Sequence, residues 1–232
     1  MDIIPWNKAR GYIKATWKQS QHFATMGQNG SGKSFLTTEL VQIRYERKAY
    51  IAVFNTKPKD KTLEIYTKKY RFKEISNVRK HNFERPPKGI VIKPVSQDLV
   101  DLKTFQREVF QDTLNRLWKV GNWTVVMDEL RYLTQFLGLT EMVQVFYTQA
   151  RSSDITIIGG TQRPRFVPLE MYSESKHFAM FRNTEKADST RLSEITSHID
   201  KDIILNTLRT LQLYQFLYVN SESGIAFISK VE

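Results

Sequence analysis

Cysteine is absent from the 232-residue chain, and with it go disulfides, thiolate metal sites and cysteine nucleophiles. Histidine is scarce: residues 22, 81, 177 and 198 lie far apart with no ligand spacing, so no histidine-based metal centre is expected. No apolar run approaches the roughly 18–20 residues that a membrane span needs, which argues against stable membrane insertion. The first residues, Met1 to Lys18, have no apolar core followed by a small-residue cleavage site and do not read as a signal peptide. Acids are outnumbered, 24 against 35 Lys and Arg, leaving a formal charge of +11. A hydrophobic fraction of 41% and an aromatic fraction of 12% exclude a disordered basic tail. At roughly 150 residues per domain, the length fits one large domain or one with a small appendage. The composition alone implies a soluble, intracellular, basic domain that meets something anionic.

The charge is concentrated. From Arg44 to Lys88 there are 14 Lys or Arg against five acids, an excess of nine. Tyr45, Tyr50, Tyr66, Tyr70, Phe72 and Phe83 are interleaved with them. Such a run is either a solvated face or a surface that meets phosphates, and an excess this large favours phosphates. Sequence preference is not encoded in it.

Apolar runs of strand length occur at His22–Met26, Tyr50–Phe54, Gly89–Lys93, Trp123–Met127, Ile155–Ile158 and Phe178–Phe181. Helical spacing falls between them at Lys33–Glu46, Leu102–Val120 and Leu139–Arg151, with further helices expected at 186–195 and 201–209. In the first of these, Phe35, Leu36, Leu40 and Ile43 are available for one face. Two last strands, 211–219 and 225–229, flank turn residues Asn220, Ser221, Ser223 and Gly224 and predict a terminal hairpin. Alternation of this kind predicts an α/β fold with a largely parallel sheet flanked by helices. Residues 1–20 show no clear period and are expected to form an arm that packs on a neighbour, leaving 21–232 as one domain. Trp6 and Trp17 in that arm are expected to be packing residues.

Three strand ends carry chemistry. Gly27-Gln28-Asn29-Gly30-Ser31-Gly32-Lys33-Ser34 matches G-x-x-x-x-G-K-[ST] between a strand and a helix. Its glycines let backbone N–H groups curl around phosphate oxygens, helped by the positive end of the helix. Lys33 meets the β- and γ-phosphates, and the Ser34 hydroxyl suits Mg²⁺. Gly27 through Ser34, with Phe35, form the expected nucleotide-binding set. The second strand end, Trp123 to Met127, closes in Asp128-Glu129. Buried strands avoid carboxylates unless these are paired or metal-bound, so Asp128 is assigned to the magnesium shell and Glu129 to polarising the attacking water. The third ends in Thr161-Gln162-Arg163-Pro164, where the Gln162 amide can sense the γ-phosphate or the water.

In this order, with a helix-terminal Arg151 between, these motifs resemble the FtsK–HerA superfamily of DNA-pumping P-loop ATPases (the RecA-like, ASCE type). Within it, the chain is similar in length to the small genome-packaging ATPases of tectivirus-like viruses. The resemblance spans about residues 20–220 and implies ATP and Mg²⁺ as ligands and double-stranded DNA as the substrate moved. It further implies a ring, most often a hexamer, in which Arg151 reaches the neighbour's nucleotide, with Arg163 as the other candidate. Asn55-Thr56-Lys57 is similar to the polar end of the family's second strand. A viral portal or packaging-vertex protein is the implied partner, and the host cytoplasm or the virion packaging vertex the implied location. Two alternatives are a plasmid or conjugative translocase of the same superfamily and a nucleotide-binding assembly or regulatory protein that pumps nothing.

Overall fold

The computed structural model describes residues 1–57, 64–84, 86–96, 98–193, 195 and 199–231. His198, Lys59, Lys61 and Arg85 lie outside the described residues. Nine strands form one sheet: β1 His22–Met26, β2 Tyr50–Phe54, β3 Lys73–Ile75, β4 Gly89–Ile92, β5 Trp123–Met127, β6 Thr156–Thr161, β7 Ser175–Phe181, β8 Gln215–Asn220 and β9 Ala226–Lys230. Their order across the sheet is β3-β4-β2-β5-β6-β1-β7-β8-β9. Strands β3 through β7 in that order run parallel, and only β8 and β9 are antiparallel, forming the expected hairpin. The central strands β1 and β5 are buried at every position, as continuous apolar runs in a doubly covered parallel sheet should be.

Helices cover both faces. On one, Phe110, Leu114 and Leu117 of helix Leu99–Val120 and Val143, Phe146 and Tyr147 of helix Thr140–Gln149 pack on Val125, Met127 and Ile157. On the other, Leu36, Leu40 and Ile43 of α2 (Lys33–Glu46) pack on Phe23, Val126 and Ile158. Among the described residues, no helix is long and apolar enough to cross a membrane.

Four details depart from the sequence reading. Residues Trp6–Thr16 are a helix, α1, and not an outward arm. Ala9, Ile13 and Trp17 are fully buried under the β1 side of the sheet, and Ile3 bridges to Ile228. Arg10 and Lys14 tie α1 to Glu39 and Glu46 of α2. The apolar positions of α1 recur only at 9, 13 and 17, too few to show a period in sequence. Strand β3 has three residues at the sheet margin, too short to give a pattern. Strand β6 continues through Gly159 and Gly160 to Thr161, although paired glycines suggest a loop. Phe35 is 44% exposed and lies off the buried face of α2.

Candidate nucleotide site

The parallel strands β1, β5 and β6 lie side by side in register, with Met26 paired to Thr161 and Met127 to Gly159. Their carboxyl ends therefore open at one edge of the sheet, where ligands of such sheets bind. The loop after β1 wraps with Gly30 at φ 75° and Gly32 at φ 101°, left-handed values that disfavour any side chain. A Cβ on Gly27 would fall 2.7 Å from the Phe181 Cβ, so the loop's first residue also has no room for one. Gly32 caps α2, whose first-turn N–H groups point into the loop's concavity. The Ser31 hydroxyl is buried and has no hydrogen-bond partner among the described residues, an unmet polar group that suits an anion in this loop.

Asp128 faces this loop from the end of β5. Its carboxylate lies 3.4 Å from Lys33 Nζ, accepts from Ser34 Oγ at 3.1 Å and from Thr37 Oγ1 at 3.3 Å. Ser34 and Asp128 together present the hard oxygen donors that Mg²⁺ takes, so the residues fit that ion. Gly160 in β6 makes room for Asp128: a Cβ there would sit 2.5 Å from Oδ1 and 2.6 Å from the Asp128 carbonyl oxygen. Gly159 is likewise filled, by the Tyr147 hydroxyl at 2.0 Å from its hypothetical Cβ. The paired glycines thus set how closely β5 and its surroundings approach β6.

Glu129, next in sequence, is held by two donors at the same oxygen. Gln162 Nε2 donates to Glu129 Oε1 at 2.8 Å, and Lys57 Nζ lies 3.2 Å from it. The three strand ends that the sequence singled out, plus the one after β2, therefore meet at one cleft. This cleft is lined by Gln28, Lys33, Ser34, Phe35, Lys57, Glu129 and Gln162. Beside it lies a second cleft of about 320 Å³ between Gln28–Ser31 and a wall of Arg182, Thr184 and Gln212–Gln215. Tyr214 borders both clefts and, with Val231, sits within 3.2 Å of where a Gly32 Cβ would be. Sequence reasoning missed Arg182 and Tyr214. The left-handed φ of 65° at Tyr214 is a signal only the backbone reveals.

The arginine candidates part company. Arg151 is exposed in the 3₁₀ turn Ala150–Ser153 that leads into β6 at the opposite, amino-terminal edge of the sheet. Five residue steps of β6 separate the two edges, roughly 16 Å, beyond reach of its own P-loop. Arg163 lies at the nucleotide edge but is engaged within the chain, ion-paired to Glu185 and 3.5 Å from the buried Asp188.

The basic stretch from Arg44 to Lys88 does not form one open face. Arg44 is buried, donating to Thr124 and Thr156 hydroxyls and lying over the Trp17 ring. Arg47 donates to the Trp17 and Lys14 carbonyls, Lys57 pairs with Glu129, and Lys68 with Glu64. Tyr66, Tyr70, Phe72 and Phe83 are core residues, Tyr66 and Phe72 stacked at 5.9 Å. Only a remainder, including the exposed Lys48, Lys69, Arg71 and Lys73, faces outward.

No family model matches the chain, and no curated protein matches it. Solved structures do. The genome packaging NTPase B204 of Sulfolobus turreted icosahedral virus 2, in complex with sulfate, superposes with a TM-score of 0.68 at 16% identity over 91% of this chain and 97% of that one. VirB4 of Thermoanaerobacter pseudethanolicus gives a TM-score of 0.70 at 10% identity, covering 91% of this chain and 89% of that one. The pCW3 conjugation coupling protein TcpA, in its monomer form, gives 0.53 at 15% identity, with 93% of this chain and 60% of that one covered. At these identities the likeness establishes the fold, that of P-loop ATPases with a mixed, mostly parallel sheet.

Proposed function

We propose that this chain is an ATPase that drives double-stranded DNA translocation, as a viral genome-packaging motor. One observation carries the reading: a P-loop lysine and serine face Asp128, while the adjacent Glu129 is hydrogen-bonded to the Gln162 amide at the end of the neighbouring strand. Mere nucleotide binding has no use for a second carboxylate held at the γ-phosphate end of the cleft.

ATP is bound with its phosphates in the loop Gly27–Ser34 and its base in the cleft bordered by Arg182 and Tyr214. Ser34 and Asp128 hold Mg²⁺, which when bound neutralises charge on the β- and γ-phosphates. Lys33 leaves Asp128 for the phosphates. Glu129 orients and deprotonates the attacking water once its oxygen is released by Lys57, and Gln162 registers whether the γ-phosphate is present. Arg151 serves the adjacent copy in a ring, most often a hexamer in this superfamily, because it cannot serve its own site. A packaging-vertex protein is the proposed docking partner.

The likeness in fold to VirB4 and TcpA keeps a conjugative translocase as the second reading, alike in chemistry. A DNA-stimulated ATPase assay tests the reading. Double-stranded DNA should raise turnover of the wild-type chain, and Lys33→Ala should abolish it. Nucleotide binding without hydrolysis, with or without DNA, would instead identify an assembly or regulatory protein.

A further inference from the structure

Two short loops leave the site on the strand ends that hold Glu129 and Gln162. The first carries Arg131, the second Arg163, Arg165 and Phe166. All three guanidinium groups gather on the one ring: Arg165 lies 4.4 Å from its centroid, Arg131 4.6 Å and Arg163 5.9 Å. The loops are also tied directly, since Gln135 donates to the Phe166 carbonyl at 3.1 Å and accepts from Arg131 Nε at 3.1 Å.

Three like charges around one ring repel one another, and the ring offsets only part of that. Carboxylates offset Arg163, through Glu185 and Asp188. Among the described residues, neither Arg131 nor Arg165 has a carboxylate within ion-pair distance, although Arg165 is exposed and Arg131 only half-buried. Packing alone does not call for that. Beside them Phe136, 54% exposed, is stacked on Tyr132 at 5.8 Å. Rigid, forked, weakly hydrated cations on an aromatic base match the spaced oxygens of a phosphodiester backbone.

We infer that Arg131 and Arg165, clamped on Phe166, grip the phosphate backbone of double-stranded DNA. The inference rests on the translocase reading and moves the DNA-binding surface from the stretch 44–88 to the loops that follow the catalytic strands. Two residues of chain separate Arg131 from Glu129, and three separate Arg165 from Gln162. A pull on the arginines is therefore delivered to the Glu129–Gln162 hydrogen bond, which makes hydrolysis depend on DNA.

The test measures binding of labelled duplex DNA against salt, with a non-hydrolysable ATP analogue present, for wild type, Arg131→Gln/Arg165→Gln and Arg131→Lys/Arg165→Lys. The slope of log affinity against log salt should shrink by about 1.8 for the glutamine pair, at about 0.9 for each phosphate no longer neutralised. The lysine pair, which keeps the charge, should retain most of it and shows that the substitutions leave the fold intact. An unchanged slope in the glutamine pair, with wild type binding DNA, overturns the inference and leaves the translocase reading standing. Loss of DNA-free ATPase with DNA binding intact also overturns it, and assigns the arginines to a neighbouring nucleotide. No DNA binding or stimulation in wild type overturns both.

Discussion

The two edges of the central sheet both carry charged and polar side chains, yet they are built on opposite terms. At the amino-terminal edge each such group is answered from within. Arg44 is enclosed by two threonine hydroxyls and a tryptophan ring, and burial pushes it down to about 10. His22 accepts from the Ile157 N–H at Nδ1 and meets the Tyr147 carbonyl at Nε2. At the carboxyl edge Lys33, Ser34, Asp128, Glu129 and Gln162 converge on open clefts, and Ser31 Oγ is left unmet. Charge as such says little about function. What separates the edges is whether a group is answered by its own chain or points at a space.

The largest effect that would break this contrast belongs to Arg151, exposed at the edge whose polar groups are otherwise satisfied. A phosphoryl-stabilising arginine contributes roughly 10³–10⁵ in rate, so Arg151→Ala should lose that much ATPase activity. Mixing it with Lys33→Ala subunits should restore some turnover, at interfaces that join one intact loop to one intact arginine. Full activity of Arg151→Ala alone would return the residue to the structural edge.

Next comes Glu129→Gln, which should bind ATP but lose about 10²–10⁴ in turnover, the usual worth of a general base. Single-turnover kinetics with a binding control check this, and a native hydrolysis rate would remove Glu129 from the mechanism.

Acid should strike the other edge. His22 is pushed down by burial to about 4, and His177, also buried, to about 3. Both fold neutral while the unfolded chain protonates near 6.5. Their contribution is full above pH 6.5 and falls by about 1.4 kcal/mol per pH unit for each histidine as pH drops from there towards 4. Urea unfolding at pH 7 and pH 5 measures it, and a flat profile would show that these rings accept protons when folded.

Gly160→Ala sharpens the contrast at lower amplitude. Its methyl would crowd Asp128 at 2.5 Å, costing about 1–3 kcal/mol of stability as overpacking does. Thermal unfolding and nucleotide affinity should fall together. Smaller still should be the effect of Arg71→Gln/Lys73→Gln on the salt dependence of DNA binding, below that of the loop arginines.

What could be read from sequence follows the same division. The loop Gly27–Ser34, the Asp128-Glu129 pair and Gln162 were legible because each combines unusual residue types with a strand end, and parallel pairing of β1, β5 and β6 then had to bring them together. Arg182 and Tyr214 come from segments that reach the cleft only through the β7–β8 return of the chain, and nothing local marks them. Gly159-Gly160 looked like a turn, because the tyrosine and aspartate that occupy their hollows are distant in sequence. The basic stretch 44–88 misled in the other direction: a count of charges is blind to Arg44 facing inward and Lys57 facing a carboxylate.

That last pairing has a consequence for timing. With Lys57 and Gln162 both on Oε1 of Glu129, the resting carboxylate is occupied, and the reaction starts from an idle that must first be undone. A γ-phosphate is the ligand suited to undo it, since it draws the lysine to itself. For a motor assembled from copies of this chain, fuel is then consumed only where fuel is fully seated, and copies out of turn stay silent. Order around the ring would thus begin as restraint in each copy.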